Sequence, residues 1–118
     1  MAEKARLPKQ PLELRYHPRY RLEVRVTVTV TRAEGVVRLW GRCADISEGG
    51  LGCTLVGELL EGESVNLEFI LPPEREPMRA RAVVRHRAGF HYGLEFLFLT
   101  PQQLGRIRLL ASSLPRVA

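Results

Sequence analysis

The chain has 118 residues, with 18 Lys and Arg against 13 Asp and Glu, and a formal net charge of +5. Its 45% hydrophobic and 26% charged residues are typical of a globular chain with room for one domain, which excludes a disordered or fibrous protein. No uncharged apolar run approaches the roughly 20 residues that cross a bilayer, the first residues lack a signal-peptide pattern, and two cysteines are too few for a disulfide scaffold. We therefore expect a cytoplasmic, bacterial-type module with reduced thiols.

The N-terminal residues 1–21 are basic and polar and contain Pro8, Pro11 and Pro18. Proline fixes the backbone and removes hydrogen-bond donors, and no apolar period runs through this segment. The sequence therefore predicts a flexible N-terminal arm over residues 1–21 and a single domain over residues 22–118.

Alternation of apolar and polar residues begins at Leu22 and continues to Thr31, with valine at every second position from 24 to 30. A period of two with β-branched residues predicts a half-buried strand. Similar segments follow between turn residues, so the predicted strands are 22–31, 36–45, 51–56, 63–71, 78–87 and 91–99. In the last strand we expect Tyr92, Leu94, Phe96 and Phe98 to face inward.

The period changes after the sixth strand. Thr100 is followed by a proline and by Gln103, which together form a helix-capping pattern, and apolar residues at helical spacing predict a helix over 101–112. Six short antiparallel strands with frequent turns favour a small closed barrel. The predicted fold class is all-β: a six-stranded antiparallel β-barrel with a flexible N-terminal arm and a short C-terminal helix.

Two short motifs carry the functional signal. The arm contains Arg15 and Arg19, spaced four apart, just ahead of the first strand. The turn between the second and third strands contains Asp45, Ser47 and Gly50, and Asp45 is the only aspartate in the chain. Asp and Ser could simply cap backbone amides, with the Gly49–Gly50 pair permitting positive φ. Alternatively, the carboxylate could accept hydrogen bonds from a guanine edge while the hydroxyl and glycine amides hold a phosphate.

Together the motifs resemble those of the PilZ domain, a bacterial receptor for cyclic di-GMP, which has RxxxR before its first barrel strand and [D/N]xSxxG between its second and third. The resemblance covers nearly the whole chain, from about residue 14 to the C-terminal helix. It implies a cyclic di-GMP-binding receptor without catalysis or further cofactor. By this resemblance the arginines would grip phosphates and guanine edges, the aspartate would meet a guanine, and the serine a phosphate: Arg15, Arg19, Asp45, Ser47 and Gly50.

We expect the signal to pass through ordering of the arm and through altered contact with a protein partner or a second copy. Two other interpretations stay open: a basic barrel that binds single-stranded nucleic acid, favoured by the stripe of arginines at 79, 81, 85 and 87, and a protein-interaction barrel that no longer binds nucleotide. Since stacking surfaces usually need several aromatic residues and Trp40 is the main candidate, we do not expect nucleic acid as a partner.

Metal and catalytic interpretations have little support in the sequence. Cys43 and Cys53 are far apart, lack the close-pair spacing of zinc sites, and are predicted to face inward. His86 and His91 should be neighbours on the barrel surface. Ser47 has no nearby histidine and no phosphate-loop pattern occurs, so we do not expect an enzyme. We also expect no metal site and no membrane partner.

Overall fold

The computed structural model describes residues 17–117, which form six strands and one helix. The elements are β1 (Tyr20–Arg32), β2 (Gly35–Ile46), β3 (Gly50–Val56), β4 (Ser64–Ile70), β5 (Pro77–Ala88), β6 (His91–Phe98) and α1 (Pro101–Ala111). All neighbouring strands are antiparallel, and the order β1-β2-β3-β6-β5-β4 closes because β4 pairs with β1. The predicted six-stranded barrel with a C-terminal helix is confirmed, and β1 begins two residues earlier than predicted. The first sixteen residues of the predicted arm lie outside the described residues.

The strand directions give the barrel two ends. Tight turns join β1 to β2 at Ala33–Glu34 and β5 to β6 at Gly89–Phe90, and Gly89 has the positive φ that such turns require. The turn between β2 and β3, the start of β1 and the helix lie at the other end. We call this the motif end, because it carries Arg19 of the first motif and Asp45, Ser47 and Gly50 of the second.

The core is built from the inward positions of all six strands, as the period of two predicts. Val26 and Val28 of β1 are fully buried, and so are Leu55 of β3 and Leu94 of β6. Cys43 and Cys53 lie directly opposite each other on β2 and β3, with both thiols free and buried. The prediction that the cysteines pack in the core is therefore confirmed.

The prediction that Phe98 faces inward is wrong, since the residue is 69% exposed. Arg81 of β5 pairs with Phe98 whereas Ala82 pairs with Phe96, so Leu97 is an extra residue in β6. Such a bulge shifts the alternation by one residue and sends the following side chain to the other face. Phe98 therefore shares the outer face with Arg81.

The helix begins with the predicted capping pattern. The Thr100 hydroxyl accepts a hydrogen bond from the Gln103 amide at 3.1 Å, and the Gln103 side chain accepts one from the Thr100 amide at 3.0 Å. Ile107 is the buried anchor of α1, with Leu110 packed beside it against the barrel core. Within residues 17–117, no helix has the length and apolar character needed to span a membrane.

Candidate functional site

Arg19 and Asp45 form an ion pair at the motif end. The Arg19 Nε and Nη2 groups donate to the two carboxylate oxygens of Asp45 at 3.2 and 3.3 Å. The Asp45 side chain is 12% exposed and that of Arg19 44% exposed, so the guanidinium covers the carboxylate from the solvent side. This two-point geometry matches the planar fork of arginine to a carboxylate and fixes both groups at the barrel surface. The structure thus brings together two of the five predicted site residues.

Two β-bulges set the position of Asp45. Cys43 pairs with Cys53 and Asp45 with Gly52, so Ala44 is an extra residue in β2 relative to β3. On the other side, the pairing of β2 with β1 shifts between Arg21 and Val24. Bulges re-aim side chains and are common beside active sites. The two bulges lie next to Asp45, near the end of β2, where they interrupt the regular alternation of inward and outward side chains.

Ser47 closes the turn between β2 and β3. Its hydroxyl oxygen accepts hydrogen bonds from the Gly49 and Gly50 amides at 3.0 and 3.2 Å, and its own amide donates to the Gly50 carbonyl at 2.8 Å. The side chain is buried. The hydroxyl and the two amides, the groups predicted to hold a phosphate, therefore bind one another in this structure. A phosphate oxygen would reach these amides by replacing the serine hydroxyl as their acceptor.

The glycines of the motif are needed for space rather than for backbone angle. Neither Gly49 nor Gly50 has positive φ, contrary to the sequence interpretation. A Cβ on Gly50 would lie 2.0 Å from the Leu94 carbonyl oxygen, because β6 crosses directly beside it. A Cβ on Gly49 would lie 2.7 Å from the His17 ring, so the ring of this arm residue covers the turn.

Two residues that are not among the five predicted site residues also lie beside the Arg19–Asp45 pair. A Cβ on Gly52 would lie 3.1 Å from an Asp45 oxygen, so this glycine makes room for the carboxylate. Arg21 is exposed and lies opposite Asp45 across the β1–β2 pair, which places a further cation beside the ion pair. A glycine inside a strand signals a close approach, and this signal could have identified Gly52.

The helix and the C-terminal segment are both tied to the site. Arg108 of α1 donates to the two carboxylate oxygens of Glu48 at 2.9 and 3.2 Å, and this contact lowers the pKa of Glu48. The Val117 amide donates to the Arg19 carbonyl, and the Arg21 amide to the Pro115 carbonyl, each at 2.8 Å. Residues 115–117 thus pair with the start of β1, immediately beside the second arginine of the RxxxR motif.

A cleft of about 260 Å³ lies between the motif turn and the helix. It is lined by Pro18, Tyr20, Ser47, Glu48, Ile107, Arg108, Ala111 and Ser112. The cleft therefore joins the end of the predicted arm, the second motif and α1 on one surface. Arg15, the first arginine of the RxxxR motif, lies outside the described residues.

The arginine stripe on β5 is largely neutralised. Arg79 pairs with Glu68 at 3.5 Å, Arg85 with Glu95 at 2.5 Å and Arg87 with Glu58 at 3.0 Å. Three of the four arginines that favoured a nucleic-acid surface thus already have a carboxylate partner. Because phosphate binding would compete with these pairs, the stripe gives weaker support to that interpretation than the sequence suggested.

The histidines and cysteines of the described chain show no arrangement suited to a metal ion. No group of three or more potential metal ligands occurs within the described part of the chain. His86 and His91 are both on the surface, as predicted, but they lie opposite Gly93 and Ala88 rather than each other. Burial raises the pKa of both cysteine thiols, that of Cys53 to about 12, so they are protonated at neutral pH.

Comparison with known proteins gives one family. A sequence model described as the PilZ domain matches residues 13–112. Curated protein sequences give no significant match. Similar structures include the PilZ domain with c-di-GMP of YcgR from Escherichia coli, with a TM-score of 0.63, 19% identity, and coverage of 83% of this chain and 88% of that one.

Two further structures share the fold. The PilZ domain of CeSA from a cellulose-synthesizing bacterium has a TM-score of 0.59 and 19% identity, over 80% of this chain and 94% of that chain. MotI/DgrA, an inhibitor of motility from Bacillus subtilis, has a TM-score of 0.60 and 22% identity, over 80% of this chain and 48% of that chain. At these identities the structural likenesses establish the fold.

Proposed function

The chain belongs to the PilZ domain family, and from this premise we propose that it is a cyclic di-GMP receptor that binds its ligand at the motif end and acts through a protein partner, without catalysis of its own. The observation that carries the proposal is the Arg19–Asp45 pair beside the Ser47 turn. This pair joins residues from both motifs, which are separated by 26 positions in the chain.

The pair offers the contacts that a guanine would need. A carboxylate can accept two hydrogen bonds from the N1–H and amino edge of guanine, and a guanidinium can donate two to O6 and N7. In the structure, Arg19 and Asp45 satisfy each other. We expect cyclic di-GMP, which has two guanines and two phosphates, to replace this mutual contact, with Arg15 supplying a second fork to the ligand.

The Ser47 turn supplies the phosphate part of the proposed site. Three polar groups converge there, namely the hydroxyl and the amides of Gly49 and Gly50. Backbone amides that point to one place form an anion-binding concavity. Rearrangement of this turn would also move Glu48, whose carboxylate holds Arg108 of the helix.

Output would pass through the elements that touch the site. Ligand contact at Arg19 acts on the strand segment that pairs with residues 115–117, and contact at the turn acts on α1 through Glu48. The arm, which carries Arg15, would become ordered over the ligand. Ordering of a segment by charged ligand contacts is a known switching device. The partner would then recognise the ligand-bound arrangement of arm and helix.

Calorimetric titration with cyclic di-GMP tests the proposal. We expect saturable binding at micromolar affinity or better, about −8 kcal/mol. Cyclic di-AMP is the matched ligand control, because it carries the same two phosphates but lacks the guanine edges. It should bind at least about tenfold more weakly, a difference of ~1.4 kcal/mol. Equal affinity for both ligands would mean that charge alone drives binding.

The arginine fork is tested by substitutions that keep the charge. Arg15→Lys and Arg19→Lys should each weaken binding by about tenfold or more, since lysine cannot form the planar two-point contact. Arg81→Lys on the outer face of β5 is the control and should bind like the parent. Arg21 is unsuitable as a control because it lies opposite Asp45. Parent-like binding by both motif variants would refute the assignment of Arg15 and Arg19.

A further inference from the structure

An exposed apolar pair lies on the outer face of β2 and β3, away from the motif end. Trp40 is 56% exposed and Val56 79% exposed, and the two are direct partners across the strand pair. Opposite residues in antiparallel strands point to the same side, so the two side chains form one surface. Trp40 precedes Asp45 by five positions, which is roughly 16 Å along an extended strand.

Arginines flank Trp40 on this surface. Arg38 and Arg42 are the outward neighbours of Trp40 along β2, and Arg25 of β1 lies opposite Arg42. We call the surface formed by Arg25, Arg38, Trp40, Arg42 and Val56 the Trp40 face. Like charges directly opposite each other on paired strands destabilise a sheet, so the Arg25–Arg42 pair is a cost to the fold.

The arginines of the Trp40 face have no carboxylate partner within residues 17–117. Arg42 donates to the backbone carbonyl of Glu23 at 3.3 Å, while Arg25 and Arg38 take part in none of the ion pairs of the described chain. Elsewhere on the barrel, Arg32, Arg85 and Arg87 are each held by a glutamate. Three exposed arginines without a carboxylate partner among the described residues therefore lie on the same surface as the exposed apolar pair.

The composition of the Trp40 face decides among possible occupants. A second copy would bring arginines against arginines. Single-stranded nucleic acid would need aromatic side chains for stacking, and Val56 beside the single Trp40 offers no second ring. Tryptophan and arginine are among the residue types most enriched at the energetic centres of protein interfaces. The barrel is closed, so a partner must bind to side chains rather than add a strand.

The geometry points to a docking surface for a protein partner: the Trp40 face binds an apolar side chain that is surrounded by carboxylates. The apolar side chain would cover Trp40 and Val56, while the carboxylates would pair with Arg25, Arg38 and Arg42. This assignment gives a protein partner a second contact, which is separate from the arm and helix of the proposed function. It does not depend on nucleotide binding, because the surface shares no residue with the motif end.

The test uses the full 118-residue chain without nucleotide, and Trp40 serves as a reporter because it is the only tryptophan. The probe is a 16-residue synthetic peptide in which glutamates flank leucine and phenylalanine. Control probes replace its glutamates by lysine, replace its apolar residues by serine, or are a 20-nucleotide oligothymidylate. Trp40 emission reports occupancy, and anisotropy of the labelled peptide gives affinity for the variants.

We expect the acidic apolar peptide to shift Trp40 emission to shorter wavelength in a saturable manner, with a weaker response to either control peptide. Arg38→Glu and Val56→Asp should each weaken peptide binding about tenfold or more, and both positions are exposed, so the fold should be retained. Arg81→Glu and Ile70→Asp are matched exposed controls on β5 and β4, and they should bind like the parent.

Three results would overturn the assignment. No saturable emission change with the acidic apolar peptide would exclude this chemistry, and equal weakening by the control variants would mean non-specific charge attraction. Tighter binding of oligothymidylate with quenching of Trp40 would identify a nucleic-acid surface instead. Since cyclic di-GMP is absent from the experiment, its outcome and that of the nucleotide titration are separate.

Discussion

At Gly50 the backbone of β6 leaves no space for a side chain. A Cβ there would meet the Leu94 carbonyl oxygen at 2.0 Å, whereas the three atoms nearest to a Cβ on Gly93 all belong to the ring of His86, an exposed side chain that can turn away. We expect Gly50→Ala to lower the free energy of unfolding by about 1–3 kcal/mol, as overpacking does. Gly93→Ala should cost clearly less. Equal losses in chemical denaturation would show that β6 can shift away from Gly50.

This geometry limits what the glycine of the motif reveals about ligand binding. If Gly50→Ala abolishes cyclic di-GMP binding, the loss could follow from a displaced β6 as well as from a lost ligand contact. Substitutions at exposed Arg19 are cleaner probes of the ligand. The sequence suggested that Gly50 is needed for positive φ, but the structure shows that it is needed for close packing against β6.

The two cysteines offer a residue-level test of the core. Burial raises the pKa of both thiols, that of Cys53 to about 12, and the thiolate is the reactive form. We expect no reaction of the native protein with a disulfide reagent at pH 8, and reaction of two thiols once the chain is unfolded. Rapid labelling of either thiol in the native state would contradict the burial of this strand pair.

The spacing of the two motifs made Arg19 and Asp45 predictable as candidates, whereas a position that depends on a bulge could not be predicted. Arg19 and Asp45 were identified from spacing and context, and the structure joins them. The proximity of Arg21 to Asp45 depends on the β1–β2 register, which shifts between Arg21 and Val24. No residue type in that segment signals a bulge, so the register that places Arg21 opposite Asp45 could not be predicted from the sequence.

At the level of elements, the alternation in β1 predicted a strand because every second residue packs into the core. The same rule failed at Phe98, since the extra residue at Leu97 shifts the phase of β6. The C-terminal helix was predicted from Thr100 and Gln103, whose side chains satisfy each other's amides. Local sequence patterns thus predicted β1 and α1 correctly. The prediction for Phe98 was wrong because β6 has one residue more than β5 at that point.

Docking of α1 depends on Ile107, which is 2% exposed, whereas Leu109 on the opposite side is 71% exposed. We expect Ile107→Ala to lower the free energy of unfolding by roughly 2–5 kcal/mol, because it leaves a cavity in the core. Leu109→Ala should change it by less than about 0.5 kcal/mol. Similar effects of the two substitutions would mean that α1 does not pack through this face.

For the whole molecule, ion pairs predict a loss of stability in acid. Arg108 lowers the pKa of Glu48 and Arg32 that of Glu63, each below the usual 4.5 of a glutamate. The unfolded chain therefore takes up these protons at higher pH than the folded chain does. The stabilisation is complete above about pH 4.5 and is lost as the pH falls through the folded-state pKa values.

Melting temperatures measured from pH 7 to pH 3 test this prediction. The parent should melt at progressively lower temperature below about pH 4.5. Glu63→Gln should melt lower than the parent at pH 7 and should show a shallower decrease in acid, because one of the shifted carboxylates is gone. An unchanged slope in this variant would mean that other groups control acid unfolding.

The overall topology was predictable only in part. Six strands with turn signals indicated a closed barrel, but the pairing of β3 with β6 joins segments about 40 residues apart. No local pattern specifies such a pairing. Its consequence is direct, because β6 packs against Gly50 and the C-terminal helix that follows β6 then reaches the motif turn. The proposed route from ligand to output depends on this long-range pairing.

Amide chemical shifts of ¹⁵N-labelled protein during titration with cyclic di-GMP test the central claim most directly. We expect saturable shifts of the Ser47, Gly49 and Gly50 amide signals. The Arg19 Nε–H signal, which reports the contact with Asp45, should also move. The chemical shifts of the Arg38 and Trp40 amides on the Trp40 face should not change. Absence of any saturable shift, or shifts confined to residues away from the motif end, would contradict the assignment of this site as a cyclic di-GMP receptor.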